Sequence, residues 1–375
     1  MADMAGQQLS ILTRKVTFNA QKTQVIFQGG ALISDVIAAA YGNDTQVPTG
    51  NCNCVGTLGA ILGGGYGHLM GLYGFGVDNI LSLNLVTPSG TAVTVTPADT
   101  DLWWALRGAG PNFGIVTSVT MKAYPTPANQ SFAWLGIMTF TEEKIESLVQ
   151  AINDLVLEPK MNIFMYYTTL GAPDYTPVVA ALPFYYGSET AGKAAFASIY
   201  AVGPSLDGTA VTPYNEWNAG GDSFCIKGGR KPSYGAGFAN MVPATWRAIW
   251  NAYTAFLANP GTGNSTVLLE AYSLFTARSV PDSSSSFPFR STVNYNAVAI
   301  PFYADSSLDP VAEAFGSKVR DLWRSTDNLA SNSTYINFAF GDESLPTVYG
   351  GNVARLQAIK ARYDPFGRFN QWFPL

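Results

Sequence analysis

Hydrophobic and polar positions alternate in short runs over most of the chain, which is the pattern of half-buried β-strands. Residues 15–18 and 23–27 alternate on either side of an Asn-Ala-Gln-Lys turn and predict a hairpin near the N-terminus. Further strands are predicted at residues 80–87, 91–96, 114–123, 131–140, 162–169, 177–186, 265–274 and 294–303.

Apolar residues at helical spacing appear between these runs. They predict helices at residues 32–41, 99–106, 142–157, 189–202, 243–258, 309–324 and 352–364, the last of which is stopped by Pro365. Residues 204–240 are rich in glycine, proline and aromatic residues without periodicity, so we expect a loop there, and long loops in compact domains usually carry function. The mixture of strands and helices within one segment is typical of an α+β fold.

Composition and charge narrow the class of protein. With 47% apolar and 13% charged residues, the 375-residue chain can form large cores, in one large domain or in two. The net charge is −5 and no basic run occurs, so we expect neither nucleic acid nor a membrane as a partner. The longest apolar stretches, residues 294–303 and 159–167, are too short to span a bilayer. The first residues carry no signal peptide, which leaves the compartment open.

Histidine and cysteine are scarce. The only histidine, His68, excludes metal sites built on histidine pairs and any Ser/His triad that does not use this residue. The three cysteines leave at least one thiol unpaired within the chain, and Cys52 and Cys54 are too close in sequence for an easy disulfide. We therefore predict no metal site.

The densest chemical signal is a segment with ten glycines between Gly50 and Gly76. Glycines let backbone N–H groups approach a ligand closely, and a dinucleotide is the ligand expected for such a segment. A Rossmann motif needs a long helix after the glycines, whereas another glycine-interrupted turn follows Gly67. The alternative is that the glycines only let packed strands cross closely and bind no ligand.

Several short motifs occur here in one order and spacing. They are Cys52 before Val55-Gly56, the run Leu62–Gly67, Asp101–Gly108, Asn112–Thr117, Tyr335-Ile-Asn337, and Tyr349 to Phe369. Together they resemble the berberine-bridge-enzyme-like FAD-linked oxidoreductases, especially the fungal members. The matches span residues 9–123 and 331–375, whereas residues 131–330 match loosely.

The resemblance implies an α+β fold with two parts. A PCMH-type FAD-binding domain would consist of residues 1–125 and 331–375, and residues 126–330 would form a substrate domain with an antiparallel sheet. Cys52 holds the position that many members bond to flavin C6, although an ordinary buried thiol is the alternative. The implied cofactor-binding residues are Cys52, Val55, Gly56, Thr57, Gly59, Leu62, Gly64, Gly65, Gly67, Ile115 and Asn337.

The sequence also departs from the family. Members carry an Arg-x-Gly-Gly-His segment upstream of the strand that here begins near Leu9, and this sequence lacks that motif. We therefore expect an incomplete FAD-binding domain, an exposed sheet edge, or an upstream chain that completes it. Leu58 and Ala60 replace a glycine and a histidine common in the family. For His68 we predict a structural role, in which it caps backbone groups.

A further departure affects the catalytic base. Many members place a tyrosine after the Asn of Tyr-x-Asn, but Phe338 follows Asn337 here and cannot move a proton. Tyr335 and Asn337 are the predicted catalytic residues, and Glu270 and Glu216 are alternative bases.

The predicted function is that of an FAD-linked oxidase of secondary metabolism. It would oxidise a small phenolic, alkaloid, polyketide or carbohydrate substrate by hydride transfer to flavin N5, with reoxidation by oxygen. Two alternatives stay open. One is a flavin-free cyclase, isomerase or metabolite-binding relative, and the other is an inactive fragment or half of a split protein.

Overall fold

The computed structural model describes residues 13–375, so the strand expected near Leu9 lies outside the described residues. The strands are β1 Val16–Phe18, β2 Gln24–Gln28, β3 Thr45–Gln46, β4 Ile80–Val86, β5 Ala92–Val95, β6 Ile115–Lys122, β7 Tyr124–Pro125, β8 Phe132–Leu135, β9 Met138–Phe140, β10 Met161–Thr169, β11 Pro177–Tyr185, β12 Leu206–Asp207, β13 Ala210–Pro213, β14 Tyr234–Phe238, β15 Thr266–Tyr272 and β16 Tyr295–Ile300.

The helices alternate with groups of strands along the chain. They are α1 Ile33–Tyr41, α2 Thr57–Leu62, α3 Met70–Tyr73, α4 Thr100–Ala109, α5 Ile145–Asn153, α6 Glu189–Ala195, α7 Ala197–Val202, α8 Pro243–Leu257, α9 Phe275–Ser279, α10 Asp309–Arg324, α11 Leu345–Tyr349 and α12 Val353–Tyr363. The predicted α+β class is confirmed. Within residues 13–375, no helix combines the length and the apolar character needed to cross a bilayer.

Two antiparallel sheets dominate the architecture. The smaller has five strands in the order β1-β2-β6-β4-β5, and the larger has nine, with β12-β9-β11-β10-β15-β16-β14 as its main path, β8 attached to β11 and β13 attached to β8. The alternating side chains of β10 and β15 divide between two cores because successive residues of a strand point to opposite faces. Ile163, Leu269 and their neighbours pack with helices α5, α8 and α10 on one face. Phe164 and Tyr272 face the small sheet and the glycine segment on the other.

The C-terminal helix α12 packs back against α4, which comes early in the chain. Arg362 pairs with Asp101 at 2.8 Å, and the Arg355 guanidinium lies 3.9 Å from the centre of the Trp104 ring. Lys360 is buried and donates to the Asn112 carbonyl and the Asp364 carboxylate. The two ends of the chain therefore form one structural unit in the part that is described.

Most predicted elements are confirmed, with shifts of a few residues at their ends. The strand predicted at residues 131–140 is instead two strands, because Gly136 turns at φ 152° against the backbone of Gly208. The loop prediction for residues 204–240 is wrong at β12, β13 and β14, the last of which lies fully buried at the end of the large sheet's main path. In β14, Gly235 and Gly237 make room for Phe338 and Ser333, so the strand shows no alternation of large apolar residues.

Candidate cofactor and substrate site

The glycine segment divides into an open part and a packed part. A side chain added at Gly56 or Gly59 would meet no atom within 4 Å, so these positions of α2 face open space. At Gly64, Gly65 and Gly67, by contrast, a side chain would overlap Phe287, the Gly76 backbone and the Thr49 carbonyl, respectively. The structure thus gives these three glycines a packing role and offers no room for a ligand directly against them. Leu62, also a predicted cofactor residue, packs on Gly110.

The open part of the segment has the character of a ligand site. Thr57 is fully buried, yet its hydroxyl makes no hydrogen bond with any of the residues described. Val55 and Ile115 are large apolar residues with 40% and 41% of their surface exposed. Both flank the turn at residues 29–31, where Gly29 N–H donates to the Thr117 carbonyl and Thr57 N–H donates to the Ala31 carbonyl. An unpaired buried hydroxyl, open glycines and exposed apolar side chains together fit a cofactor with both polar and apolar surfaces.

Tyr335 and Asn337 stabilise the C-terminal half of α2. Asn337 Nδ2 donates to the Ala60 carbonyl at 3.0 Å and to the Tyr335 hydroxyl at 2.7 Å. The Tyr335 hydroxyl in turn donates to the same carbonyl and accepts from Gly65 N–H. Burial raises the pKa of Tyr335 well above its ordinary value. Because its proton is bound and costly to remove, the structure favours a positioning role for Tyr335 over the predicted role as base.

The structure places Cys52 next to a disulfide. Cys54 is bonded to Cys225, and the free Cys52 sulfur lies 3.6 Å from that of Cys54. The expectation of one unpaired thiol is confirmed, but the partner of Cys54 is 171 residues away and no local pattern predicted it. All three sulfur atoms lie within 4.8 Å of one another, and the disulfide removes two of them as thiolate ligands for a metal.

Glu270 is a candidate catalytic base because the pKa of its carboxyl group lies near neutrality. It lies on β15 directly opposite Phe164 of β10, deep in the molecule but with some accessible surface. Desolvation raises its pKa to about 7, and a hydrogen bond from Tyr272 opposes the rise. The charge of Glu270 also acts on the Cys52 thiol, whose pKa is raised chiefly by burial. A carboxylate with a pKa near neutrality is suited to accept a proton at physiological pH.

A cavity of about 440 Å³ opens on the same face of the large sheet. Its floor consists of alternate residues of β10 and β11, including Phe164, Tyr166 and Phe184. Its side consists of residues 216–221 together with Ser223 and Phe224, and we call residues 216–225 the wall segment. Glu216, the third candidate base, lies on this segment and is exposed.

The wall segment is fastened to the loop that carries Cys52. The two segments are joined by the Cys54–Cys225 disulfide, by a hydrogen bond from Asn53 Nδ2 to Asp222 at 2.8 Å and by one from Asn218 Nδ2 to the Gly50 carbonyl at 3.2 Å. These three contacts fix the side of the cavity against the glycine segment.

The Cys225→Ser variant should loosen this wall. We expect it to lower the free energy of unfolding by about 2–4 kcal/mol, because the disulfide restricts a long loop in the unfolded chain. Trypsin should also cleave faster after Lys227 and Arg230, which follow the wall segment. Cys52→Ser is the matched control, since it removes a cysteine but leaves the disulfide intact. Equal proteolysis rates for the two variants would contradict the role given to the disulfide.

His68 does not have the predicted role of capping backbone groups with its side chain. The ring instead stacks on Phe184 at 4.3 Å between centroids, and Nδ1 lies 3.0 Å from Asn162 Oδ1. Burial lowers the pKa of His68 to about 4, so the ring is neutral at neutral pH. The ring lines the cavity, a position that its place after the glycine segment did not indicate.

Two known sequence families match the chain, one toward each end. Residues 6–96 match the family described as "FAD binding domain", and residues 334–371 match the family described as "Berberine and berberine like". FAD-linked oxidoreductase anuG of Penicillium roqueforti is 31% identical over 395 residues, which cover 100% of this chain and 76% of that protein. FAD-linked oxidoreductase hasG of Aspergillus fumigatus is 30% identical, with 94% of this chain and 78% of that protein covered.

Solved structures agree on the fold. A xylooligosaccharide oxidase from Myceliophthora thermophila C1 superposes with a TM-score of 0.82 at 19% identity, over 98% of this chain and 80% of that chain. The 6-hydroxy-D-nicotine oxidase of Arthrobacter nicotinovorans gives 0.75 at 22% identity, over 96% of this chain and 80% of that chain. The fold is therefore the PCMH-type FAD-binding fold with a second α+β part. Together with the sequence relatives, it shows that the chain belongs to the berberine-bridge-enzyme-like family of FAD-linked oxidoreductases.

Proposed function

We propose that this FAD-linked oxidoreductase oxidises the alcohol group of a small, neutral, ring-containing substrate, phenolic alcohols included, in the 440 Å³ cavity, with Glu270 as the base. The observation that carries the proposal is the position of Glu270. It lies opposite Phe164, which forms part of the cavity floor, and its pKa of about 7 suits proton transfer. Phe338 leaves the usual tyrosine position without a proton acceptor, and Glu270 fills that chemical need.

The open part of the glycine segment would hold the cofactor. Gly56, Thr57 and Gly59 would contact its polar groups, while Val55 and Ile115 would cover apolar surface. The chemistry that bound FAD supplies is hydride acceptance at its N5, with molecular oxygen as the final electron acceptor. We keep residues 1–125 and 331–375 as the cofactor-binding part and residues 126–330 as the substrate part of the proposal.

The lining of the cavity supports a neutral substrate. Aromatic and aliphatic side chains provide most of it, and the polar remainder consists largely of threonine, serine and asparagine. None of the described lysines or arginines contributes to the lining, whereas Glu216 does. An anionic substrate would therefore meet no counter-charge and would be repelled. As the hydride leaves a C–H bond, Glu270 takes the proton of the adjacent hydroxyl, so that an alcohol becomes a carbonyl compound.

Cys52 is proposed as a covalent anchor for the flavin. Its sulfur is half-buried and within electrostatic range of Asp222 and Glu270, and it is the free thiol of the described chain. A bond from sulfur to the isoalloxazine ring would fix the cofactor and raise its potential.

Absorbance spectra and peroxide production test the proposal. The purified protein should show flavin bands in the visible range, retain them after denaturation and produce hydrogen peroxide with benzylic alcohols. Cys52→Ala should release its flavin on denaturation, and Cys225→Ser serves as the control that should keep it. A colourless, well-folded protein that cannot be loaded with FAD would instead support the flavin-free alternative. Release of all flavin by the denatured wild type would contradict the covalent bond alone.

A further inference from the structure

We infer that His68 is a specificity-determining residue, whose Nε2 accepts a hydrogen bond from a hydroxyl or N–H group of the substrate other than the one that is oxidised. The inference rests on the proposed function, because it places the substrate in the same cavity. It adds the requirement that the substrate carries a second donor group. The steps that follow concern the charge, the tautomer and the direction of the imidazole ring.

The surroundings keep the His68 ring neutral. The ring lies between Phe184 and Phe164, at 4.3 and 5.5 Å between centroids, and the edge of Trp217 approaches it at 6.4 Å. Burial and the Asn162 side chain account for the shift of its pKa, and no carboxylate of the described residues contributes to it. Burial among aromatic rings lowers the pKa of His68 to about 4, since the charged form would lose its hydration. The ring therefore offers one donor and one acceptor.

Asn162 determines which nitrogen carries the proton. The Asn162 side chain is buried and its Nδ2 donates to the His68 carbonyl at 3.4 Å, which turns Oδ1 toward the ring. Oδ1 is an acceptor and lies 3.0 Å from Nδ1, so Nδ1 carries the hydrogen. Nε2 is then the unprotonated acceptor.

Nε2 has no hydrogen-bond partner among the residues described, and His68 lines the cavity. An acceptor at an aromatic cavity surface binds a hydroxyl or N–H group and disfavours a carbonyl, an ether or a carboxylate, which leave it unpaired. The carboxylate of Glu216 in the cavity lining also disfavours anions. The predicted ligand is thus a neutral molecule with a donor group.

His68 and the proposed base Glu270 both neighbour Phe164, which forms part of the cavity floor. Phe164 packs against the His68 ring and pairs with Glu270 across the strands, while Asn162 pairs with Tyr272. Asn162 and Phe164 are two residues apart on one face, which corresponds to about 7 Å along β10. Asn51 also joins the two groups, since it accepts from His68 N–H at 2.9 Å and donates to the Tyr272 hydroxyl at 2.5 Å. A substrate whose donor group lies across one aromatic ring from its oxidised carbon matches this separation along β10.

Binding of a matched pair of probes tests the inference. We would titrate the FAD-loaded protein, reduced beforehand with dithionite so that neither probe is oxidised, under anaerobic conditions by calorimetry with 4-hydroxybenzyl alcohol and with its methyl ether, 4-methoxybenzyl alcohol. The phenol should bind roughly fivefold to tenfold more tightly, as expected for one net hydrogen bond. His68→Phe keeps the stacking and should abolish this preference. Thr168→Val, which removes the hydroxyl of another residue of the cavity lining, should keep the preference for the phenol.

The single histidine permits a direct second measurement on the wild type. Protein labelled with ¹⁵N-histidine gives one pair of ring nitrogen signals, which should show a protonated Nδ1 and an unprotonated Nε2 from pH 5 to 9. The phenol should shift the Nε2 signal strongly and the Nδ1 signal little.

Each possible outcome decides the question. Equal affinities of the wild type for the two probes, absence of binding by either, a preference that survives in His68→Phe, or an Nε2-protonated ring would each overturn the inference. Failure of the proposed function would look different, because the phenol would still bind with the expected preference but would not be turned over.

Discussion

Replacement of Glu270 by glutamine should reduce kcat roughly 10²-fold to 10⁴-fold, the usual contribution of a positioned general base. Glutamine keeps the size and hydrogen-bonding shape of the side chain but cannot accept the proton of the substrate hydroxyl. The contact with Tyr272 remains possible for the amide oxygen, so the surrounding residues should stay in place. Stopped-flow measurement of flavin reduction isolates this step from reoxidation by oxygen.

The pH profile gives the same prediction an independent readout. Because the raised pKa of Glu270 is about 7, the rate of flavin reduction in the wild type should fall as the pH drops below that value. Glu270→Gln should lose this limb of the profile. A variant with full activity, or a wild-type profile that is flat between pH 5 and 8, would rule out Glu270 as the base.

Stability separates loss of chemistry from loss of fold. A carboxyl group whose pKa is raised on folding lowers the stability progressively as the pH rises from its ordinary pKa of 4.5 to about 7, because the unfolded chain loses the proton that the folded protein retains, and the full cost is present above pH 7. Glu270→Gln should consequently melt at a higher temperature than the wild type at pH 8 and at about the same temperature near pH 4. Glu216→Gln is the matched control, since Glu216 is a carboxylate of the cavity lining at an exposed position and should retain activity.

The sequence was informative where one local pattern determines one element. Strands such as β10 and β11 were predicted because their apolar residues form two buried faces, and α10 was predicted from its amphipathic spacing. Strand β14 was missed because glycines occupy the positions where neighbouring side chains need room. Helix α2 was missed because glycines begin, interrupt and follow it, and glycine is a poor helix former.

The site could be predicted only in part, since its members come from distant segments. The family motif located Cys52 and the glycines, but it could not distinguish Gly59, which faces open space, from Gly64, which packs on Phe287. Glu270 carried a signal of its own, because a single acid interrupts the apolar run of β15. The Cys54–Cys225 bond and the contact of His68 with Asn162 depend on how the large sheet folds over the glycine segment, which no local pattern encodes.

The open glycines allow a steric test of the cofactor site. Gly59→Leu should weaken FAD binding roughly 10-fold to 100-fold, as expected when a side chain occupies space that a ligand needs. The apo protein should not be destabilised, because a side chain at Gly59 meets no atom within 4 Å and leucine is a better helix former than glycine in α2.

The affinity is best measured by fluorescence titration with FAD in the Cys52→Ala background, where binding is an equilibrium. Gly351→Leu is the matched control, since that glycine is also exposed with no atom near an added side chain but lies outside the predicted cofactor site. It should bind FAD like the parent. If Gly59→Leu also bound FAD like the parent, the cofactor would have to lie elsewhere, and the unpaired hydroxyl of Thr57 would need another ligand. Weaker binding together with a raised melting temperature of the apo protein would show that the space in front of Gly59 is kept for the cofactor at the expense of stability.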